Sequence, residues 1–300
     1  MYDVAIIGAG PAGLTAGIYC ARKMLKTVIL YKEIGGQAAT AKRVENWPGI
    51  ETISGAELID KIYKQAKKLG CEFKQASVSK IMCGEKCLEI ATEKEIIVAK
   101  AVIIATGRTH KQLSIEGEKE FIGRGVAYCA TCDAPFFKNK VVAVTGSDNM
   151  AFDSAFTLAK IATKIYMIYN KNDLTADKKI VNDVRAMKNV EFIEDYRVNK
   201  IKGDKVVKQI ELKDLKNKTK IIDVDGIFIE VGFVAPESMM PEIKTDNEGQ
   251  IIVDSEMATS VKGIFSAGDI TSSPFKQMIT ASGDSAKAAI SAEKYLKSVK

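Results

Sequence analysis

The stretch "YDVAIIGAGPAGLTAGIYCARKM" at residues 2–24 constrains the fold more than any other part of the chain. A continuous apolar run reads as a strand buried on both faces, and it passes directly into residues with helical spacing. Between them Gly8, Gly10 and Gly13 form a full G-x-G-x-x-G. The first glycine permits the tight turn, the second lets backbone approach a pyrophosphate, and the third lets helix and strand pack closely. Helix N-terminal amides then face the phosphates. A second strand, "TVILY", follows at 27–31, and a ribose-binding acid is expected at its end. Tyr31 holds that position and Glu33 lies two residues further on. The chain therefore opens with a βαβ unit for a dinucleotide.

The pattern recurs in strand "KVVAVTG" at 140–146, helix "NMAFDSAFTLAKIA" at 149–162 and strand "KIYMIY" at 164–169. Near the C-terminus "KGIFSAGDITSS" is another buried strand, ending in Gly268-Asp269, followed by helix "QMITASGDSAKAAISAEKYL". A polar group at a strand's carboxyl end is where an open parallel sheet places its ligand. Two such units and a returning tail predict an α/β chain of two Rossmann-like three-layer domains, the second inserted in the first. Residues 1–113 and 242–300 are expected to form one and residues 114–241 the other.

With 46% hydrophobic and 27% charged residues, the chain has the composition of an ordinary globular protein. No apolar stretch approaches the roughly 20 residues of a membrane span. The N-terminus enters a strand without the features of a secretory signal, so a cytoplasmic protein is expected. The net charge of +6 is concentrated in residues 1–114, where 17 Lys and Arg face 11 Asp and Glu. Lys61, Lys64 and Lys68 fall on one helical face, which is either solvated surface or a docking patch for an acidic partner. No basic groove with interleaved aromatics is present, so nucleic acid is not an expected partner.

Of six cysteines only Cys129 and Cys132 have Cys-x-x-Cys spacing, in "YCATCDAPFF". That spacing can close a small disulfide ring, and in a cytosolic chain it reads as redox chemistry before structure. A zinc site needs two more ligands, and the chain offers only Cys83 and Cys87 as another close pair and a single histidine, His110. No metal is expected. Asp133, directly after the pair, can carry the proton that thiol–disulfide exchange requires.

Taken together, "GAGPAG" at 8–13, "GGQ" at 35–37, "VENWPG" at 44–49, "ATG" at 105–107, "CATCD" at 129–133 and "GDI…KQMITASGDSAKAA" at 268–289 make the chain resemble the low-molecular-weight thioredoxin reductases over essentially its whole length. The resemblance implies FAD, a homodimer and thioredoxin as partner. It carries FAD contacts to Gly8, Gly10, Pro11, Ala12, Gly13, Glu33, Gly36, Gln37, Asn46, Val78, Thr106, Gly107, Gly268, Asp269, Lys276, Gln277 and Met278. It also implies that electrons enter the disulfide through Cys132, that Asp133 protonates a departing thiolate, and that Cys129 opens thioredoxin's disulfide.

The second unit departs from the family. Its turn reads Gly146-Ser147-Asp148-Asn149-Met150-Ala151, placing a carboxylate where a pyrophosphate approaches. The family's His-Arg-Arg cluster is Tyr169-Asn170-Lys171, and a later Arg is Thr175. The expectation is that NADPH is not bound and that ferredoxin, or another acidic low-potential carrier, docks on the basic first segment, as in the family's ferredoxin-dependent branch. Three alternatives stand beside it. They are an NAD(P)H-dependent reductase with an atypical pocket, a ferredoxin–NADP reductase (disfavoured by the Cys pair), and a non-catalytic flavin redox sensor.

Overall fold

The computed structural model describes residues 1–41, 44–84, 87–234 and 239–299. The chain divides into two compact units, Met1–Thr109 with Ala235–Lys300, and His110–Val234. The sequence boundaries at 113/114 and 241/242 thus differ from the observed ones by a few residues, for apolar reasons. Leu113 and Ile115 pack into the second unit's core, while Met239 and Met240 pack into the first's. The Ile81 amide also donates to the Met239 carbonyl at 2.8 Å.

In the first unit β1 (Tyr2–Ala9) pairs in parallel with β2 (Thr27–Ile34) and β6 (Ile96–Ile104). Strand β3 (Glu72–Gln75) extends the sheet beyond β2, and β17 (Ile264–Ser266) pairs in parallel with β6. An antiparallel hairpin, β4 (Val78–Cys83) and β5 (Leu88–Thr92), continues from β6. Alternation along β1 sends Val4 and Ile6 to one core and Ala5 and Ile7 to another, so both faces are buried. Helices α1 (Pro11–Arg22), α2 (Gly55–Lys68) and α6 (Met278–Ser298) cover the first face. Helix α6 packs through Ala281, Ala288, Ala289 and Ala292, small side chains that allow close approach.

A capping box between Ser54 and Glu57 starts α2, which buries Leu58, Ile59, Ile62 and Ala66. Lys61, Lys64 and Lys68 are exposed, and Lys64 pairs with Asp60 at 2.7 Å. Such a pair is worth about 0–1 kcal/mol, so the lysine stripe is not what holds this helix in place.

The chain enters and leaves the second unit through the paired two-residue strands β7 (Thr109–His110) and β16 (Phe233–Val234). Its main sheet is wholly parallel, with β11 (Val190–Glu194), β10 (Lys164–Tyr169), β9 (Val141–Thr145), β15 (Gly226–Ile229) and β8 (Val126–Ala127) in that order. A short helix α3 (Ala130–Asp133), α4 (Asn149–Ala159) and α5 (Lys178–Arg185) accompany it. An antiparallel sheet of β12 (Tyr196–Gly203), β13 (Val207–Asp214) and β14 (Thr219–Asp223) completes the unit. Among the described residues no helix is long and apolar enough to cross a membrane.

Candidate functional site

In the first unit the carboxyl ends of β2, β1, β6 and β17 lie side by side and form the edge of a cradle. Gly8 adopts φ +114°, and a Cβ there would stand 2.2 Å from the Ala105 carbonyl oxygen. A Cβ on Gly13 would stand 1.8 Å from the Gly8 carbonyl oxygen. Both positions are closed to any other residue. Helix α1 starts at Gly10 with no side chain capping it, Pro11 in its first turn and no acid there. Its orphan amides, beginning near Ala12 and Gly13, are therefore available to an anion. Gly36 and Gly107, at φ +52° and +72°, border open space.

Glu33 lies within β2, which continues to Ile34, beyond the apolar run visible in sequence. A register irregularity between Ile7 and Ala9 brings Ala9 opposite Ile34, so Glu33 sits at the strand's carboxyl end, where a ribose-binding acid belongs. The Ala76 amide donates to the Tyr31 carbonyl at 2.9 Å, setting Val78, at the start of β4, near the same end. Gln37 opens into solvent on the 3₁₀ turn Gly36–Thr40. Asn46 donates to Gln277 Oε1 at 3.0 Å, joining two distant segments at the start of α6. Gly268, at φ +81°, packs its backbone against the Ala12 side chain. Met278, the first residue of α6, packs against the core beneath.

Lys276 donates to the Thr271 carbonyl and to Gln250 Oε1, holding the turn that carries Asp269. Burial, and next the Arg108 guanidinium, bring its pKa down to about 8. Burial also raises Asp269, with Lys276 and Arg108 opposing. Arg108 directly follows the "ATG" stretch, and nothing in its own local pattern marks it. The Thr106 hydroxyl is buried and has no hydrogen-bond partner among the described residues. A buried unsatisfied hydroxyl is costly, and a bound polar group would satisfy it. The glycine cradle, uncapped helix and orphan hydroxyl all fit a flavin dinucleotide.

In the second unit Cys129 and Cys132 are joined by a disulfide, with Cα atoms 5.4 Å apart. Cys129 caps α3, and its sulfur accepts the Cys132 amide at 3.3 Å. Beneath them Ala130, Ala134 and Phe137 are buried, and Phe137 packs edge-on against Phe228 at 5.0 Å. Burial pushes the Asp133 carboxyl up to about 6, within reach of neutral-pH proton transfer.

The turn after β9 differs from the turn after β1. Gly146, at φ +153°, packs against the Glu230 carbonyl, where a Cβ would come within 2.0 Å. Asp148 is the N-cap of α4, and its carboxylate accepts the Ala151 amide at 3.0 Å. The amide left open in α1 is here satisfied by the chain itself, and the cap carries a negative charge. The sequence signals the charge but not this bond. Lys171, the one cation between positions 169 and 175, is paired with Glu194 at 2.8 Å and Asp195 at 3.7 Å.

Glu230 is a further residue that sequence reasoning misses. It is 3% exposed, accepts from Ser154 Oγ at 2.7 Å and from the Ala130 amide, and so links α4 to the redox helix. Burial raises its pKa to about 7 against those hydrogen bonds, and the Asp148 charge adds to the rise. An acid just after an apolar strand is the available signal.

The sequence matches the family described as Pyridine nucleotide-disulphide oxidoreductase over residues 2–291. It is 39% identical to the thioredoxin reductase of Treponema pallidum over 300 residues, covering 98% of this chain and 97% of that protein. The crystal structure of thioredoxin reductase from Streptococcus pyogenes is similar with a TM-score of 0.94 and 37% identity, covering 99% of each chain. The ferredoxin-flavin thioredoxin reductase of Clostridium acetobutylicum is less similar, with a TM-score of 0.54 and 31% identity over 99% of this chain and 98% of that one. The special likeness to the ferredoxin branch expected from the Asp148 turn is thus the weaker one. The chain belongs to the low-molecular-weight thioredoxin reductase family of the pyridine nucleotide-disulphide oxidoreductases.

Proposed function

We propose that the chain is a flavin-dependent thioredoxin reductase supplied with electrons by a reduced pyridine nucleotide. The Cys129–Cys132 disulfide with the half-buried Asp133 beside it carries this reading. Bound FAD would supply the electron pair, since a flavin exchanges electrons singly or in pairs. Gly8, Gly10, Gly13, Glu33, Thr106 and Asp269 would hold it. Two electrons and two protons convert the disulfide to a dithiol. Electrons enter at Cys132, and Asp133, whose carboxyl burial raises to about 6, delivers a proton to the departing Cys129 sulfur. The Cys129 sulfur faces the Cys132 amide, a contact that favours its thiolate. Cys129 attacks thioredoxin's disulfide and Cys132 resolves the mixed disulfide, restoring the starting bond. A homodimer belongs to the same proposal, and light scattering reads it.

The family match and the plain thioredoxin reductases among the relatives support the nucleotide as donor, as does the parallel strand–turn–helix frame around Gly146. A second reading, with ferredoxin or another acidic carrier as donor, is favoured by the Asp148 cap and the pairing of Lys171. Anaerobic mixing decides between them. Bleaching of the flavin band by NADH or NADPH is the expected result. No bleaching by either, in protein that reduced ferredoxin does bleach, overturns the nucleotide reading.

A further inference from the structure

The loop after β10 is laced onto the turn after β9. The Thr175 and Ala176 amides donate to the Ser147 carbonyl at 2.9 and 3.1 Å, and Asn149 and Asp177 exchange hydrogen bonds at 2.7 and 2.9 Å. The end of β10 lies beside the same turn, because the Gly146 amide donates to the Ile168 carbonyl at 3.3 Å and Ile168 pairs with Thr145. In a βαβ dinucleotide site, groups at the end of the second strand meet the adenosine ribose. An acid there takes a free 2′-hydroxyl, whereas arginine takes a 2′-phosphate.

Here Tyr169 ends β10 in register with Glu194 on β11. Glu194 accepts from the Tyr169 hydroxyl at 2.8 Å, pairs with Lys171 at 2.8 Å and is paired with Arg185. Asp195 accepts the Lys171 amide at 3.2 Å and lies 3.7 Å from its ammonium. Two cations face two carboxylates, leaving no net positive charge for a phosphate dianion. A carboxylate offers about four acceptor sites. Three on Glu194 are in use, which leaves one for a hydroxyl.

We propose that Glu194 makes the second unit selective for NADH over NADPH, by holding Lys171 and Arg185 and presenting a carboxylate to the 2′ position. This rests on the reading that the unit binds a pyridine nucleotide. Asp148 weakens both nucleotides alike, because both carry the pyrophosphate, so selectivity arises at the ribose alone.

Calorimetric titration of the oxidised holoenzyme with NAD⁺ and NADP⁺ tests it without turnover. Wild type is expected to bind NAD⁺ about tenfold more tightly or better, the scale of one like-charge contact near the surface. Glu194→Gln leaves Lys171 and Arg185 facing Asp195 alone, a gain of one net positive charge, and is expected to tighten NADP⁺ about tenfold without tightening NAD⁺. Equal or tighter NADP⁺ binding by wild type overturns the inference and leaves the nucleotide reading standing. Failure to bind either nucleotide overturns both.

Discussion

Replacing Asp148 by glycine separates its two roles. The carboxylate caps α4 through the Ala151 amide at 3.0 Å and sits where the helix N-terminus would meet a pyrophosphate. Glycine is itself a good N-cap, so losing the bond costs only a few tenths of a kcal/mol, whereas alanine costs about 1 kcal/mol. Two like charges about 4 Å apart repel by about 1–4 kcal/mol at effective dielectrics of 80 to 20. At 1.4 kcal/mol per tenfold, removing the charge should tighten nucleotide binding about fivefold to several-hundredfold. Calorimetric titration reads the affinity, and thermal unfolding shows that α4 is intact. The gain should be the same for NAD⁺ and NADP⁺. An unchanged affinity for both in a stable Asp148→Gly protein would refute the placement of this carboxylate against the pyrophosphate.

Other consequences are equally concrete. Thr106→Val should loosen FAD several-fold, since a net hydrogen bond is worth about 1 kcal/mol, yet leave the apoprotein's melting temperature unchanged or higher. Because Asp133 is raised to about 6, its proton is available below that pH and lost above it. Single-turnover dithiol formation should therefore slow above about pH 6, and Asp133→Asn should remove that limb. Glu230 is raised from 4.5 to about 7, so the folded state binds its proton more tightly than the unfolded state. Its contribution is fully favourable below pH 4.5 and lost as pH rises through 7. Glu230→Gln should accordingly raise stability at pH 8, by up to about 3 kcal/mol, and have much less effect at pH 5, as melting curves at the two pH values can show.

Much of the fold is legible in the sequence because some residues leave the backbone no choice. Gly8 and Gly13 occupy sites where a Cβ would meet a carbonyl, so the G-x-G-x-x-G stands out from residue identity alone. Long apolar runs with a clear period mark β1, β9, β10 and α6. Glu33 is harder, because the end of β2 is set by pairing of Ile34 with Ala9 and the residues just before that end are exposed. The domain boundaries shift because a few apolar side chains, Leu113 and Met240 among them, choose one core over another. Glu194, Arg108 and Glu230 gain meaning only from neighbours far away in sequence. Periodicity carries no information about such partners. Asp148 reads as a charge in the sequence, and its role as a cap emerges only when α4 folds against it.

In the proposed function electrons reach thioredoxin through Cys129 and Cys132. The most direct measurement is the number of thioredoxin thiols released per enzyme under anaerobic multiple turnover, in wild type and in the Cys129→Ser/Cys132→Ser double variant, with flavin content matched. Wild type is expected to release thiols in large molar excess and the variant none above background. Sustained turnover by the variant would contradict this route.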